Sequence, residues 1–269
     1  MNQQERCLWL IQELLKEMPQ YRYDVFPFTL SRQWQLLRSL MNVRPPMPVT
    51  EEFLRVQDAF LQQMTAEKGI TDVDALPAAP SNPRLVLWQG DITTLKCDAI
   101  VNAANSQMLG CFVPMHSCID NIIHSMAGVQ LRLACHELMR TQGHEEPTGQ
   151  AKITPGFNLP AKYVLHTVGS IIDGEVTAEH DALLASCYRN CLKLAAQNGL
   201  RSVAFCCIST GVFSFPAQRA AEVAVQAVEN YLESNNQIQR VVFNVFKDSD
   251  LMIYQHLLGT GGSYQKVPM

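Results

Sequence analysis

Two thiols and an imidazole lie close together in the segment Gly110-Cys111-Phe112-Val113-Pro114-Met115-His116-Ser117-Cys118. Soft sulfur with imidazole nitrogen is the donor chemistry of Zn²⁺, and Pro114 helps the chain bend so that Cys111, His116 and Cys118 can meet on one ion. Three protein ligands leave a fourth position open, which is the form of a catalytic zinc. The plain alternative is two buried thiols and a satisfied histidine. That alternative suits the other cysteines better. Cys187 and Cys191 fall one helical turn apart with no histidine near, and Cys206 and Cys207 read as part of an apolar strand, where free Cys acts as a small hydrophobe. His124 reads as a packing or supporting residue, and His166 stands at the end of a strand.

Three further segments carry polar groups that can hold a ligand. Gln89-Gly90-Asp91-Ile92-Thr93 is a tight turn with one carboxylate, able to accept from a ligand amine or to cap its own turn. Asn102-Ala103-Ala104-Asn105 sets two carboxamides around two small residues; it can meet sugar hydroxyls or close an Asx turn. Ser209-Thr210-Gly211-Val212-Phe213-Ser214-Phe215-Pro216 precedes a helix, and its backbone N–H groups can form a nest for a diphosphate.

Composition limits what these groups can serve. The chain has 269 residues, 47% hydrophobic and 17% charged, enough for one full core and a smaller second one. Lys plus Arg number 21 against 25 Asp plus Glu, which gives no broad attraction to nucleic-acid phosphates. The apolar stretch Cys7 to Ile11 runs at once into Glu13, Lys16 and Glu17. It reads as neither a signal segment nor a membrane span, so a cytoplasmic protein is expected. Nine cysteines without an export signal favour reduced thiols or a metal over a disulfide framework.

The elements that must position these residues fall into two parts. Leu8, Ile11, Leu14 and Leu15 recur at helical spacing, as do Trp34, Leu37, Leu40 and Met41, and Pro19 ends the first helix. Thr50 with Glu51 and Glu52 predicts the start of a third helix through Phe53, Phe60 and Leu61. Trp9, Trp34 and Phe53 are expected to make a small core. The Pro-rich stretch 76–83 places a boundary, giving residues 1–83 as a helical extension and 84–269 as the main unit. Beyond it, strands are expected at 84–88, 99–102, 163–168, 203–208 and 240–246, alternating with helices at 119–126, 178–197 and 217–233, which predicts a sheet covered by helices.

In order and spacing, Gly90-Asp91-Ile92, Asn102 to Asn105, Asp120 to His124 before Ala127-Gly128, Gly149 to Gly156, His166 to Gly169 and Ser209 to Pro216 resemble the macrodomain family over roughly residues 84–258. The resemblance implies a three-layer α/β/α fold with a central mixed sheet that binds ADP-ribose. It implies that Asp91 bonds the adenine amine, Ile92 lines the adenine pocket, Asn102 orients the distal ribose, and Ser209, Thr210, Gly211, Val212 and Phe213 wrap the diphosphate. Phe246 is expected near the adenine.

Where hydrolytic macrodomains commonly carry a glycine-rich loop, this chain has the Cys111–Cys118 segment. That departure resembles a zinc-containing subgroup with helical N-terminal extensions. Its members are associated with removing ADP-ribose from proteins, some in company with a sirtuin-type transferase and a lipoyl-carrier protein. The expected activity is hydrolysis of mono-ADP-ribose from a protein, at an acidic side chain, with Asn102 and Asp120 as the catalytic pair. The expected zinc either orients a ribose hydroxyl or acidifies a water. The competing expectations are a module that binds ADP-ribose without cleaving it and a deacetylase acting on O-acetyl-ADP-ribose.

Overall fold

The computed structural model describes residues 1–21 and 27–260. The end of the proposed main unit, 261–269, lies outside the described residues. In chain order come α1 (Gln3–Glu17), α2 (Leu30–Val43), α3 (Glu51–Lys68), β1 (Thr71–Asp72), β2 (Leu85–Gln89), β3 (Leu95–Lys96), β4 (Ala99–Ala104), α4 (Ile119–Ala127), α5 (Val129–Gln142), β5 (Ala151–Pro155), β6 (Tyr163–Val168), α6 (Ala178–Gln197), β7 (Ser202–Phe205), α7 (Ala217–Ser234), β8 (Arg240–Val245) and α8 (Asp248–Leu258).

The helix starts are chemically specified. Asn2 and Glu5 form a capping box on α1, Thr29 caps α2, and Thr50 accepts from the Phe53 N–H to start α3. The six-stranded sheet has the order β2-β8-β7-β4-β6-β5, parallel throughout except for the edge strand β5. Its central strands are buried on both faces, so they read as continuous apolar runs. Helices cover the sheet: α6 lies on β5 and β6 and against α7, α8 on β2 and β8, and α4 on β4 and against α5. This is the mixed-sheet, helix-flanked architecture expected.

One large core fills the sheet layers, and a second joins the first three helices. Trp9 packs on Phe53 and Trp34 on Phe60, with ring centroids 6.2 and 5.8 Å apart, in agreement with a small helical core. That core includes Val129 of α5, so the two parts share an apolar joint. Strand β1 pairs with β3, which brings residues before the Pro-rich stretch into contact with those after it.

One strand is shorter than expected. β7 ends at Phe205 rather than 208, so Cys206 and Cys207 begin the loop that leads to Ser209. No helix among the described residues is long and apolar enough to cross a membrane.

Candidate active site

β4 and β6 place Asn102 beside His166 in parallel register. The Asn102 Nδ2 donates to Asp120 Oδ1 at 2.8 Å and to His166 Nδ1 at 3.1 Å. Accepting at Nδ1 leaves the proton of neutral His166 on Nε2, which lies 2.9 Å from Thr154 Oγ1. Burial drives the His166 pKa down to about 3, which keeps the ring neutral. Both Asn102 donors are therefore spent inside the protein. Its Oδ1 is buried and accepts from nothing among the described residues, which suits a hydroxyl of a ligand.

Asp120 stands in the first turn of α4 and is 5% exposed. Burial raises its pKa to about 6, with the Asn102 bond and the Arg132 charge pulling the other way. His124, one turn on, lies with Nε2 3.5 Å from Asp120 Oδ1. It is neutral as well, since burial first and the nearby Arg132 charge after it hold its pKa well below the usual value.

Just before α4 lies the Cys-His-Cys segment. Gly110 opens it with φ +79, where a Cβ would stand 2.8 Å from the His124 ring, so only glycine lets the loop cross that histidine. Cys111, His116 and Cys118 converge, with their ligand atoms all within 4.8 Å of one another and Cys111 Sγ 3.7 Å from His116 Nδ1. All three are half-buried. Cys118 also caps α4, its sulfur accepting from the Asn121 N–H at 3.4 Å. Burial pushes its thiol up to about 12, which favours the protonated form, and a bound cation would pull it toward the thiolate. Two sulfurs and one imidazole at this spacing fit a tetrahedral Zn²⁺.

A second group, His124, Cys135 and His166, also has its ligand atoms within 4.8 Å. It does not suit a metal as well, because both His166 nitrogens are engaged with Asn102 and Thr154.

The remaining expected binding residues lie on the loops that follow β2, β4, β7 and β8. Asp91 caps a short 3₁₀ turn: its Oδ1 accepts from the Thr93 N–H and hydroxyl, and its Oδ2 pairs with Lys68 at 2.9 Å. Burial alone would raise its pKa, but Lys68 and Thr93 hold the carboxyl below the usual range. Ile92 is buried in the main core.

Ser209 adopts φ +66, and its buried hydroxyl has no partner among the described residues. A Cβ on Gly169 would lie 2.0 Å from that Ser209 oxygen, so glycine at 169 makes room for it. Thr210 turns back through its hydroxyl to the Cys207 carbonyl, and the Phe213 carbonyl accepts from the Ile172 N–H. The N–H groups of Gly211, Val212 and Phe213 donate to nothing among the described residues. Val212 is exposed, as is Phe246 just past β8. Asn105 takes its alternative role, accepting from the Gln107 and Met108 N–H groups in an Asx turn.

Sequence reasoning missed Arg132, Arg38, Asn42 and Asn121, which surround the Cys-His-Cys loop with hydrogen bonds. The only available signal was polar residues set among apolar helical positions.

The macro domain family model matches residues 101–224. A protein-ADP-ribose hydrolase of Treponema medium is 56% identical over 96% of this chain and 100% of its own length. A protein-ADP-ribose hydrolase of Staphylococcus aureus is 52% identical over 93% of this chain and 94% of its own. The crystal structure of a Trypanosoma brucei macrodomain in complex with ADP-ribose superposes with a TM-score of 0.65 at 29% identity, covering 82% of this chain and 95% of that one. Likeness that runs through the helical extension as well as the sheet makes the assignment plain: the chain belongs to the macro domain family, among relatives named as protein-ADP-ribose hydrolases.

Proposed function

We propose that this protein hydrolyses mono-ADP-ribose from an acidic side chain of a modified protein, with Zn²⁺ held by Cys111, His116 and Cys118. Besides the full-length relatives, one observation supports the reading most. Cys118 caps the helix whose first turn carries Asp120, so the metal-ligand group and the Asn102–Asp120 pair share one end of the sheet.

The chain's own residues divide the work. Asp91 receives the adenine amine, and the N–H groups of Gly211, Val212 and Phe213, without partners among the described residues, take the diphosphate with Ser209 and Thr210. Asn102 orients the distal ribose through its unpaired Oδ1. Asp120, with its pKa near 6, is a carboxylate at neutral pH and accepts the proton of the attacking water. Water oxygen bonds to C1″, the bond from C1″ to the protein carboxylate breaks, and free ADP-ribose leaves. Bound zinc would supply a fixed positive charge for oxygen ligands and draw the two thiols into their thiolate forms.

We assign residues 1–83 to a helical extension and 84–269 to the macrodomain proper, acting in the cytoplasm. The substrate we propose is a lipoyl-carrier protein modified by a sirtuin-type transferase, on the strength of the subgroup resemblance. The test is release of ADP-ribose from a mono-ADP-ribosylated protein by catalytic amounts of the chain. Steady turnover is expected. Tight binding without release would make it a reader, and turnover confined to O-acetyl-ADP-ribose would make it a deacetylase.

A further inference from the structure

The loop that holds Cys111, His116 and Cys118 has one internal backbone bond, from the His116 N–H to the Val113 carbonyl at 3.2 Å, and takes much of its support from outside. Its shape is fixed from α2, a helix of the N-terminal part, some 70 to 80 positions away in sequence. Arg38 of α2 donates through Nη2 to the His116 carbonyl at 2.8 Å and to Asn121 Oδ1 at 2.7 Å. Asn121, wholly buried, passes that restraint on through its Nδ2 to the Val113 carbonyl at 2.9 Å. Asn42, near the end of the same helix and 1% exposed, accepts the Met115 N–H on its Oδ1 at 3.0 Å and donates to Ser125 Oγ at 3.0 Å.

Met115 is where this support matters energetically. Its φ is +56, a left-handed conformation that is strained for a side-chain-bearing residue and persists only where the surroundings impose it. Asn42 bonds the backbone N–H of that same residue, immediately before the ligand His116. Arg132 closes the joint from α5: its Nη1 takes the carbonyls of Met41, Asn42 and Arg44, which end α2, while its Nε takes the Leu109 carbonyl just before the loop. Its guanidinium also stacks over Phe112 of the loop at 4.1 Å. The end of α2 and the metal-binding loop are thus tied as one piece.

We propose that Arg38 and Asn42 are positioning residues, through which the N-terminal helices set the geometry of the Cys-His-Cys loop and so its metal affinity. The inference rests on the zinc reading above and adds a function for the helical extension: the extension preorganises the loop. Supports of this kind behind metal ligands commonly change metal affinity about 10- to 100-fold.

The test is zinc affinity of the full-length chain without ADP-ribose, measured by competition with a chromophoric chelator. The variants are Asn42→Ala, Met115→Gly, the double variant, and Arg38→Lys, which keeps the charge and loses the guanidinium fork. Asn42→Ala is expected to weaken zinc roughly ten-fold or more. In the Met115→Gly background, where the left-handed turn no longer carries a side-chain penalty, the same substitution is expected to cost under about three-fold. Arg38→Lys is expected to weaken zinc about ten-fold with the fold intact by circular dichroism. Wild-type zinc affinity in both Asn42→Ala and Arg38→Lys, or equal losses in the two backgrounds of the cycle, would overturn the positioning role while leaving the metal site in place. A wild-type chain that binds no zinc would sink both the metal reading and this inference.

Discussion

The two regions of the candidate site are built differently. At the Asn102–Asp120 end, side chains are buried, bonded to one another across four elements, and backed by a loop tied to α2 and α5. At the other end, the 209–215 segment bonds to itself, to Cys207 just before it and to Ile172. Val212 and Phe246 stand 72% and 71% exposed, and the N–H groups of Gly211, Val212 and Phe213 have no partner among the described residues. The contrast suits a division between chemistry and grip. A reacting centre gains from groups fixed before substrate arrives, whereas a binding strip can be completed by the ligand itself.

If the buried end does the chemistry, the largest effect belongs to Asn102. Asn102→Ala should lower kcat about 10²- to 10³-fold, the scale for losing one preorganised polar group, while zinc stays bound. Equal zinc content and equal rate in that variant would dissolve the distinction between the two ends. Asp120→Asn should cost about 10²-fold in turnover, and in the wild type the rate should rise with pH to a plateau above about 6.

The same substitution makes an opposite prediction for stability. The Asp120 pKa is raised from 3.8 to about 6, so its contribution to folding is complete below pH 4 and lost as pH climbs through 6. Asp120→Asn, which cannot ionise, should therefore be more stable than wild type at pH 8, by as much as about 3 kcal/mol, with little difference at pH 4. Urea unfolding at the two pH values reads this directly.

Substitutions at the open end should act on binding and leave zinc alone. Gly169→Ala forces a Cβ against Ser209 Oγ and should weaken ADP-ribose about ten-fold by calorimetry, with kcat nearly kept once substrate saturates. Phe246→Ala should cost only a few-fold in affinity, about 1 kcal/mol of lost apolar contact. A large fall in kcat from either would mean the open end is part of the reacting centre.

How far the sequence foretold this arrangement depended on the range of the interactions. α6 appears at its expected limits, Ala178–Gln197, and α4 extends one residue past expectation, since both carry their own caps and apolar faces. β5 escaped notice because it is an edge strand, half-exposed and ending in Pro155, with little alternation to read. α5 was missed although Leu131 and Cys135 recur on one buried face.

The Cys-His-Cys trio is local, so its spacing allowed a meeting on one ion while leaving buried thiols as an alternative, and the structure brings the three donor atoms together. Its supports were not readable from spacing, because Arg38 and Asn42 reach the loop only once the small core has docked α2 beside α4. The pKa of Asp120 was likewise invisible. A carboxylate two residues after a cysteine gives no sign that folding will bury it beside an asparagine and a neutral histidine.

The buried end, with the Cys-His-Cys loop beside it, is expected to carry the reaction. Zinc content and the rate of ADP-ribose release should be measured together on wild type and Cys118→Ala. Cys118→Ala, folded by circular dichroism, is expected to lose zinc and turnover in step and still to bind ADP-ribose through Asp91 and the 209–213 segment. A zinc-free Cys118→Ala protein that releases ADP-ribose at the wild-type rate would contradict this expectation.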